Sequence, residues 1–201
     1  MEKFSILHIV VTHGRYLKGL RPYLAASVLL FGLGSLIGTA TIFYFPGIAD
    51  QLAASLTGFV KIFRGLPPLQ LAGAIFFNNA IKTLLVIALG ILFGAITVLF
   101  LIVNGAALGI VFYLSIQSRG LWPSLLVLLP HGILELPAVL LGTSIGLMLG
   151  RHSANRLLGK AQTSLGTELA QAVNFFLAVI IPLLLLAALV EAFVTPALAG
   201  L

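Results

Sequence analysis

The sequence predicts an all-α protein, a polytopic bundle of about five transmembrane helices, and three observations carry that prediction. Sixty per cent of the 201 residues are hydrophobic and 8% are charged, whereas a soluble domain has about 25% charged residues. The apolar residues gather in stretches close to or above the ~20 that a helix needs to cross a bilayer. The eleven Lys and Arg outnumber the five acids and lie mostly in short segments flanking those stretches, as in cytoplasmic loops of membrane proteins. The whole chain, 1–201, reads as one integral membrane domain.

The first span is placed at 23–45. Pro22 suits a helix start and Pro46-Gly47 ends the run. The stretch exceeds the roughly 7–15 apolar residues of a signal peptide and has no Ala-x-Ala-like cleavage site, so it reads as an uncleaved span. In 48–64, Ile48, Leu52, Leu56, Phe59 and Phe63 recur at steps of three or four. That period predicts an amphipathic helix lying on the outer membrane face, stopped by Gly65-Leu66-Pro67-Pro68. Residues 74–115 are apolar for two spans. A split near Gly94–Thr97 gives 75–95 and 98–117; Asn104-Gly105 is the alternative turn.

The stretch 121–150 is long for one span and contains Pro123, Pro130 and Pro137. Proline removes a helix donor and disfavours helix in the preceding residue. A short or re-entrant helix at 123–129 is expected, then a break at Pro130-His131-Gly132, then helix to Gly150. A polar, basic connection at 151–168 leads to the last span, 169–194, with a kink at Pro182.

Charge sets the expected topology. With the N-terminus inside, Lys3, Arg15, Lys18, Arg21, Arg151, Arg156 and Lys160 are cytoplasmic, while Lys61, Arg64 and Arg119 are external. The excess inside predicts a cell-membrane protein with a cytoplasmic N-terminus and an external C-terminus. Basic residues placed at span ends argue against nucleic acid as a partner; membrane lipid is the expected one. The chain has no cysteine, which excludes disulfides and thiolate chemistry. His-Glu-x-x-His, Gly-x-Ser-x-Gly and Walker motifs are absent. No enzyme activity, cofactor or metal is expected.

Polar groups in hydrocarbon are costly unless partnered, so they mark candidate sites. Three groups stand out: Asn78, Asn79 and Lys82; Asn104; and His131, Gly132 and Glu135. His131 and Glu135 are four apart, on one helix face, and could share a proton, hold a cation or fix helix packing together with Lys82. They offer two metal ligands, where catalytic zinc uses three. Glu191 is read as a span-end acid, where charge is cheaper. Small residues four apart let helix backbones approach closely. Gly142, Gly146 and Gly150 therefore form either an internal packing stripe or the seam of a homodimer, and Gly34/Gly38, Gly90/Gly94 and Gly105/Gly109 repeat the spacing.

Phe77-Asn78-Asn79 opening a long apolar run, Asn104-Gly105 with Leu108-Gly109, and Pro130-His131-Gly132 with Glu135, in that order, resemble the stage II sporulation protein M family over about 20–195. The resemblance implies a five-span membrane protein whose Asn78, Asn79, Asn104, His131, Gly132 and Glu135 form a shared site. In spore formers the family's namesake anchors a complex of envelope-degrading enzymes during engulfment; relatives occur in organisms that never sporulate. The reading preferred from sequence is a non-enzymatic membrane scaffold for envelope or other membrane partners. The alternative is a small oligomeric transporter or channel, a dimer in the simplest case, with its polar site at His131/Glu135. A weaker third reading is an enzyme acting on lipid. Whether Glu135 faces a cavity or is sealed by packing separates the first two.

Overall fold

The computed structural model describes residues 6–47, 50, 51, 54 and 65–194, without the side chains of 6–12, 127, 130 and 131. Among these residues every regular element is helical. Five helical stretches are long and apolar enough to cross a membrane: His13–Tyr44, Pro68–Leu89, Ala95–Arg119, Gly132–Leu157 and Leu165–Phe193. The amphipathic helix expected at 48–64 lies outside the described residues, apart from Asp50, Gln51 and Ala54.

α1 runs from Ile6 to Tyr44 with Pro22 inside it, so the helix does not begin at residue 23 as expected. Pro22 removes one backbone donor and leaves the Lys18 carbonyl without its usual helical partner. Arg15, Lys18 and Arg21 surround this point, and at headgroup level water can satisfy the carbonyl. Packing holds the early turns in place: Leu20 is fully buried, in one cluster with Leu149 and Phe175.

α2 spans Pro68–Leu89 and α3 spans Ala95–Arg119. Pro68 opens α2, because proline at the first helical position forfeits only an orphan N–H. The turn between them is Gly90–Gly94, with Gly94 at φ +74 and Phe93 at φ +55. Asn104-Gly105 is not a turn. Asn104 Nδ2 donates to the Phe100 carbonyl of its own helix at 2.8 Å, and Gly105 is buried in a helix seam.

One residue, Gly120 at φ +86, reverses the chain into α4, Leu121–Pro130. Ser115 and Ser124 close this hairpin through their hydroxyls at 2.9 Å. The break expected at Pro130–Gly132 is a widened π-turn, His131–Glu135, that passes directly into α5. α5 runs Leu136–Leu157, seven residues beyond the expected end at Gly150, so much of the predicted polar connection is helix. After a short loop, Ser164 Oγ caps α6 (Leu165–Phe175) by accepting from Thr167 N–H at 3.1 Å. A second π-turn, Phe176–Ile180, leads to α7, Ile181–Phe193.

The two π-turns share one cause. Each ends two residues before a proline, Pro137 or Pro182. A proline ring clashes with the carbonyl four residues back and cannot donate to it, so the ladder widens to one residue further. The Ile181 N–H accordingly donates to Phe176 O. The kink expected at Pro182 takes this form.

α1 lies along α3 as the most extensive helix pair; α2 rests on α5 and α7, and α1 also touches α5. α5 is thus central. The buried core gathers around Ile145, Leu149, Phe175 and Ile180. Ser27 of α1, fully buried, is reached by Thr143 Oγ1 at 3.2 Å and Ser144 Oγ at 3.4 Å from α5.

Candidate functional site

Chain reversals bring the polar residues to one level. Asn104 is sixteen residues before Gly120 and Glu135 fifteen after it, so antiparallel α3 and the π-turn set them side by side. Asn79 and Lys82 precede the Gly90–Gly94 turn by about the same rise as Asn104 follows it. Asn79, Lys82, Asn104 and Glu135 line a single cavity of about 470 Å³ among α1, α2, α3, α4, α5 and α7. The remaining wall is mainly apolar, including Phe31, Phe100, Leu108 and Val139.

Each polar side chain is held differently. Glu135 is 7% exposed and ends the π-turn, so Pro137 controls where its carboxyl sits. Asn104 is anchored by its bond to Phe100 O. Asn79 accepts a bond from Asn78 Nδ2 through its Oδ1 at 3.0 Å; Asn78 thus stands behind the cavity wall. Lys82 lines the cavity while remaining exposed, consistent with a long apolar stem carrying the ammonium past neighbouring side chains.

Two lining residues were not anticipated from sequence. Glu191 of α7 contributes a second carboxylate, and its Oε2 is buried. It is near the end of its span, which made it look like an inexpensive boundary acid. But α7 packs on both α2 and the first π-turn, which carries its end to the cavity. Thr83, 1% exposed, also lines the space, and its Oγ1 has no hydrogen-bond partner among the described residues. A threonine in an apolar helix gives no advance signal of this.

The cavity therefore gathers two carboxylates, one ammonium, two amides and one unpartnered hydroxyl. Its carboxylates outnumber its ammonium groups two to one. Its size lies within the roughly 300–1,000 Å³ of small-molecule sites. Among the described residues no three His, Cys, Asp or Glu side chains cluster to hold a metal ion.

Of the other expected site residues, His131 contributes its backbone to the π-turn, and its side chain lies outside the described residues. Gly132 is exposed, and a Cβ built on it would meet nothing within 4 Å; it does not line the cavity. The stripe Gly142, Gly146, Gly150 is buried within its own chain. A Cβ at Gly146 would lie 2.6 Å from Thr97 Oγ1, and one at Gly150 2.6 Å from Gly94 Cα, while Gly142 faces the Thr83 methyl. Of its two readings, internal packing is the one this geometry fills, because α2 and the Gly90–Gly94 turn occupy the face a partner copy would need.

The family model described as Stage II sporulation protein M matches residues 27–196. No curated protein and no solved structure matches the chain. The matched range includes every residue that lines the cavity.

Proposed function

The chain belongs to the stage II sporulation protein M family, and from the cavity we propose that this multi-pass membrane protein binds a small cationic or amine-bearing solute and carries it across the membrane. The carrying observation is that Glu135, Glu191, Lys82, Asn79 and Asn104 share one cavity inside an apolar bundle. Intramembrane ionisable groups are costly and typically mark ion or substrate pathways. Packing alone would not call for a cavity of this size or for an unpartnered Thr83 hydroxyl in its wall. Discontinuous helices around a polar site are a feature of secondary transporters, and the π-turns at Glu135 and in the last span supply the irregular backbone.

In this reading the solute's ammonium is received by Glu135 and Glu191, and the amides of Asn79 and Asn104 bond its polar remainder. Lys82 supplies the balancing positive charge when the cavity is empty. No step makes or breaks a covalent bond, so the protein is a binder and not an enzyme. Five spans enclose little space, and a homo-oligomer, a dimer in the simplest form, completes the path through helix faces other than the glycine stripe.

The scaffold reading keeps one support, the family itself, whose namesake anchors envelope partners. The two readings part at the cavity. Purified protein in lipid nanodiscs is titrated with a panel of monovalent cations and small primary and quaternary amines, and binding is followed by calorimetry and thermal shift. Proteoliposome flux is then measured for the binders. The proposal expects at least one saturable ligand that Glu135→Gln weakens without loss of fold. No ligand and no flux across the panel would leave the scaffold.

We further propose that the N-terminus is cytoplasmic and the C-terminus external, in the cell membrane. The start of α1 and the α5–α6 connection sit at one end of the bundle, where Leu20, Leu149 and Phe175 share a cluster. That places Arg15, Lys18, Arg21, Arg151, Arg156 and Lys160 together, which supports a cytoplasmic end. Because the chain has no cysteine, Gln162→Cys and Ser118→Cys can be labelled singly; labelling of both from one side refutes this topology.

A further inference from the structure

A second polar cavity sits at the opposite end of the bundle and has no part in the solute site. It measures about 650 Å³ and is lined by His13, Arg15 and Tyr16 of α1 and by Thr167, Glu168 and Gln171 of α6, among others. Arg15, Lys18 and Arg21 cluster on α1 beside this cavity and α6 starts at Leu165 behind a polar loop, a pattern of span ends that sets the cavity at the headgroup level. Packing fixes its floor: Phe175 meets the rings of Tyr16 and His13 at centroid distances of 5.0 and 5.7 Å.

The cavity has unspent polar capacity. The Tyr16 hydroxyl is buried and has no hydrogen-bond partner among the described residues. Glu168 receives one bond, from Thr163 Oγ1 to Oε1 at 2.7 Å, and a carboxylate has room for several more. Arg15 offers a planar fork suited to phosphate. One guanidinium and one carboxylate in the same wall complement a zwitterion better than an anion.

The polar cavity runs into an apolar groove. Ala170 and Asn174 line both. The groove is shallow and open, on one side of a single helical stretch, and continues along Leu169, Val173, Leu177 and Ala178 past the start of the second π-turn. A polar pocket that continues onto an open apolar helix face, along which one acyl chain can lie, matches the polarity of one phospholipid.

We propose that this composite site holds a structural glycerophospholipid with a primary-amine headgroup. Arg15 and His13 take the phosphate, Glu168 takes the ammonium, Tyr16 donates to a phosphate or ester oxygen, and an acyl chain follows the groove beside Val173 and Leu177. A primary ammonium can donate hydrogen bonds to Glu168, whereas a trimethylammonium cannot; this distinguishes ethanolamine from choline headgroups. The inference is independent of the solute-transport reading.

The test uses the full chain reconstituted in nanodiscs of phosphatidylethanolamine, phosphatidylcholine and phosphatidylglycerol in equal amounts, with matched acyl chains. The protein is then released into mild detergent for native mass spectrometry. The expected result is a single retained lipid, with phosphatidylethanolamine favoured at least fivefold over either competitor. Glu168→Gln removes the preference over phosphatidylcholine, Glu168→Asp restores part of it, and Arg15→Gln lowers retention of all three. Ala170→Phe, which fills the groove entrance, reduces retention while circular dichroism stays unchanged. Equal retention of the three lipids, a preference for phosphatidylglycerol, or an ethanolamine preference that survives Glu168→Gln overturns the proposal. Saturable binding of soluble glycerophosphoethanolamine or inorganic phosphate with the same affinity as the lipid would show a headgroup-only site and overturn the groove assignment.

Discussion

α3 presents two faces that differ by a single step along the sequence. Gly105 and Gly109 face α1 so closely that added side-chain atoms would enter its backbone: a Cβ at Gly105 would lie 3.0 Å from Ser35 N, and one at Gly109 2.9 Å from Ser35 C. Asn104, Leu108 and Val111 instead border the polar cavity that holds Glu135. On the first face the helices touch through main chain; on the second they are held apart, and the space between contains charge. Neighbouring positions on one rigid helix thus create a sealed seam and an open site, and side-chain volume decides which. The seam gives the bundle its stability in lipid, where apolar burial between helices contributes little. That stability offsets the cost of keeping carboxylates inside.

The comparison can be broken most directly at the seam. Gly109→Leu should destabilise the protein by about 3 kcal/mol or more, since overpacking against main chain is not relieved by rotamer changes. A large fall in the melting temperature in detergent, with loss of monodisperse elution, is expected. A melting temperature within error of wild type would mean that the seam is not a main source of stability.

Glu135→Gln should act on the other face. Fold and melting behaviour persist, and affinity for the bound cation or amine falls about tenfold, the effect of losing one charge-assisted bond of ~1.5 kcal/mol. Calorimetry in nanodiscs reads this. A stability loss as large as that of Gly109→Leu, with ligand affinity unchanged, would turn Glu135 into a packing residue.

A finer test uses the prolines. Pro137→Ala allows the first π-turn to revert to regular helix, which moves Glu135 by one register step and should weaken ligand binding severalfold. Pro182→Ala relaxes the apolar turn Phe176–Ile180, part of the core, and should alter melting temperature with little change in affinity. Equal effects of the two on affinity would erase the distinction between a functional and a packing π-turn. The smallest expected change is Ser27→Ala. Thr143 and Ser144 keep their bonds to the Leu140 carbonyl, so the loss should be about 0.6 kcal/mol, the average for interhelical polar contacts in lipid, resolvable in a reversible unfolding titration.

The same two faces explain what could be read from sequence. Span number and order followed from hydrophobic run lengths, and Asn79, Lys82, Asn104 and Glu135 stood out because each is polar within such a run. Glu191 did not stand out, since only the packing of α7 on α2 and the first π-turn carries a residue so near its span end to the cavity. Pro22 looked like a helix start because local chemistry favours that position; burial of Leu20 overrides it. The glycine stripe 142–150 signalled close approach correctly but not its partner, because spacing encodes how near a backbone can come and not whose backbone it is. The extension of α5 past Gly150 was hidden by charged residues that signal a loop yet sit comfortably on a helix leaving the membrane.

The α1–α3 seam also shapes how the molecule responds to genetic change. A Cβ at Gly38 would stand 2.6 Å from Ala106 Cα, and one at Gly34 would stand 2.9 Å from Ile102 Cα. The obstacle in both cases is main chain, which every amino acid possesses. Trimming the side chain at Ala106 or Ile102 therefore creates no room, and a second-site suppressor of a bulky substitution at Gly38 does not exist at its contact position. In a selection for recovered protein, true reversion to glycine should dominate at these sites, whereas a defect at a side-chain contact such as Thr83 facing Gly142 remains open to compensation by its neighbour.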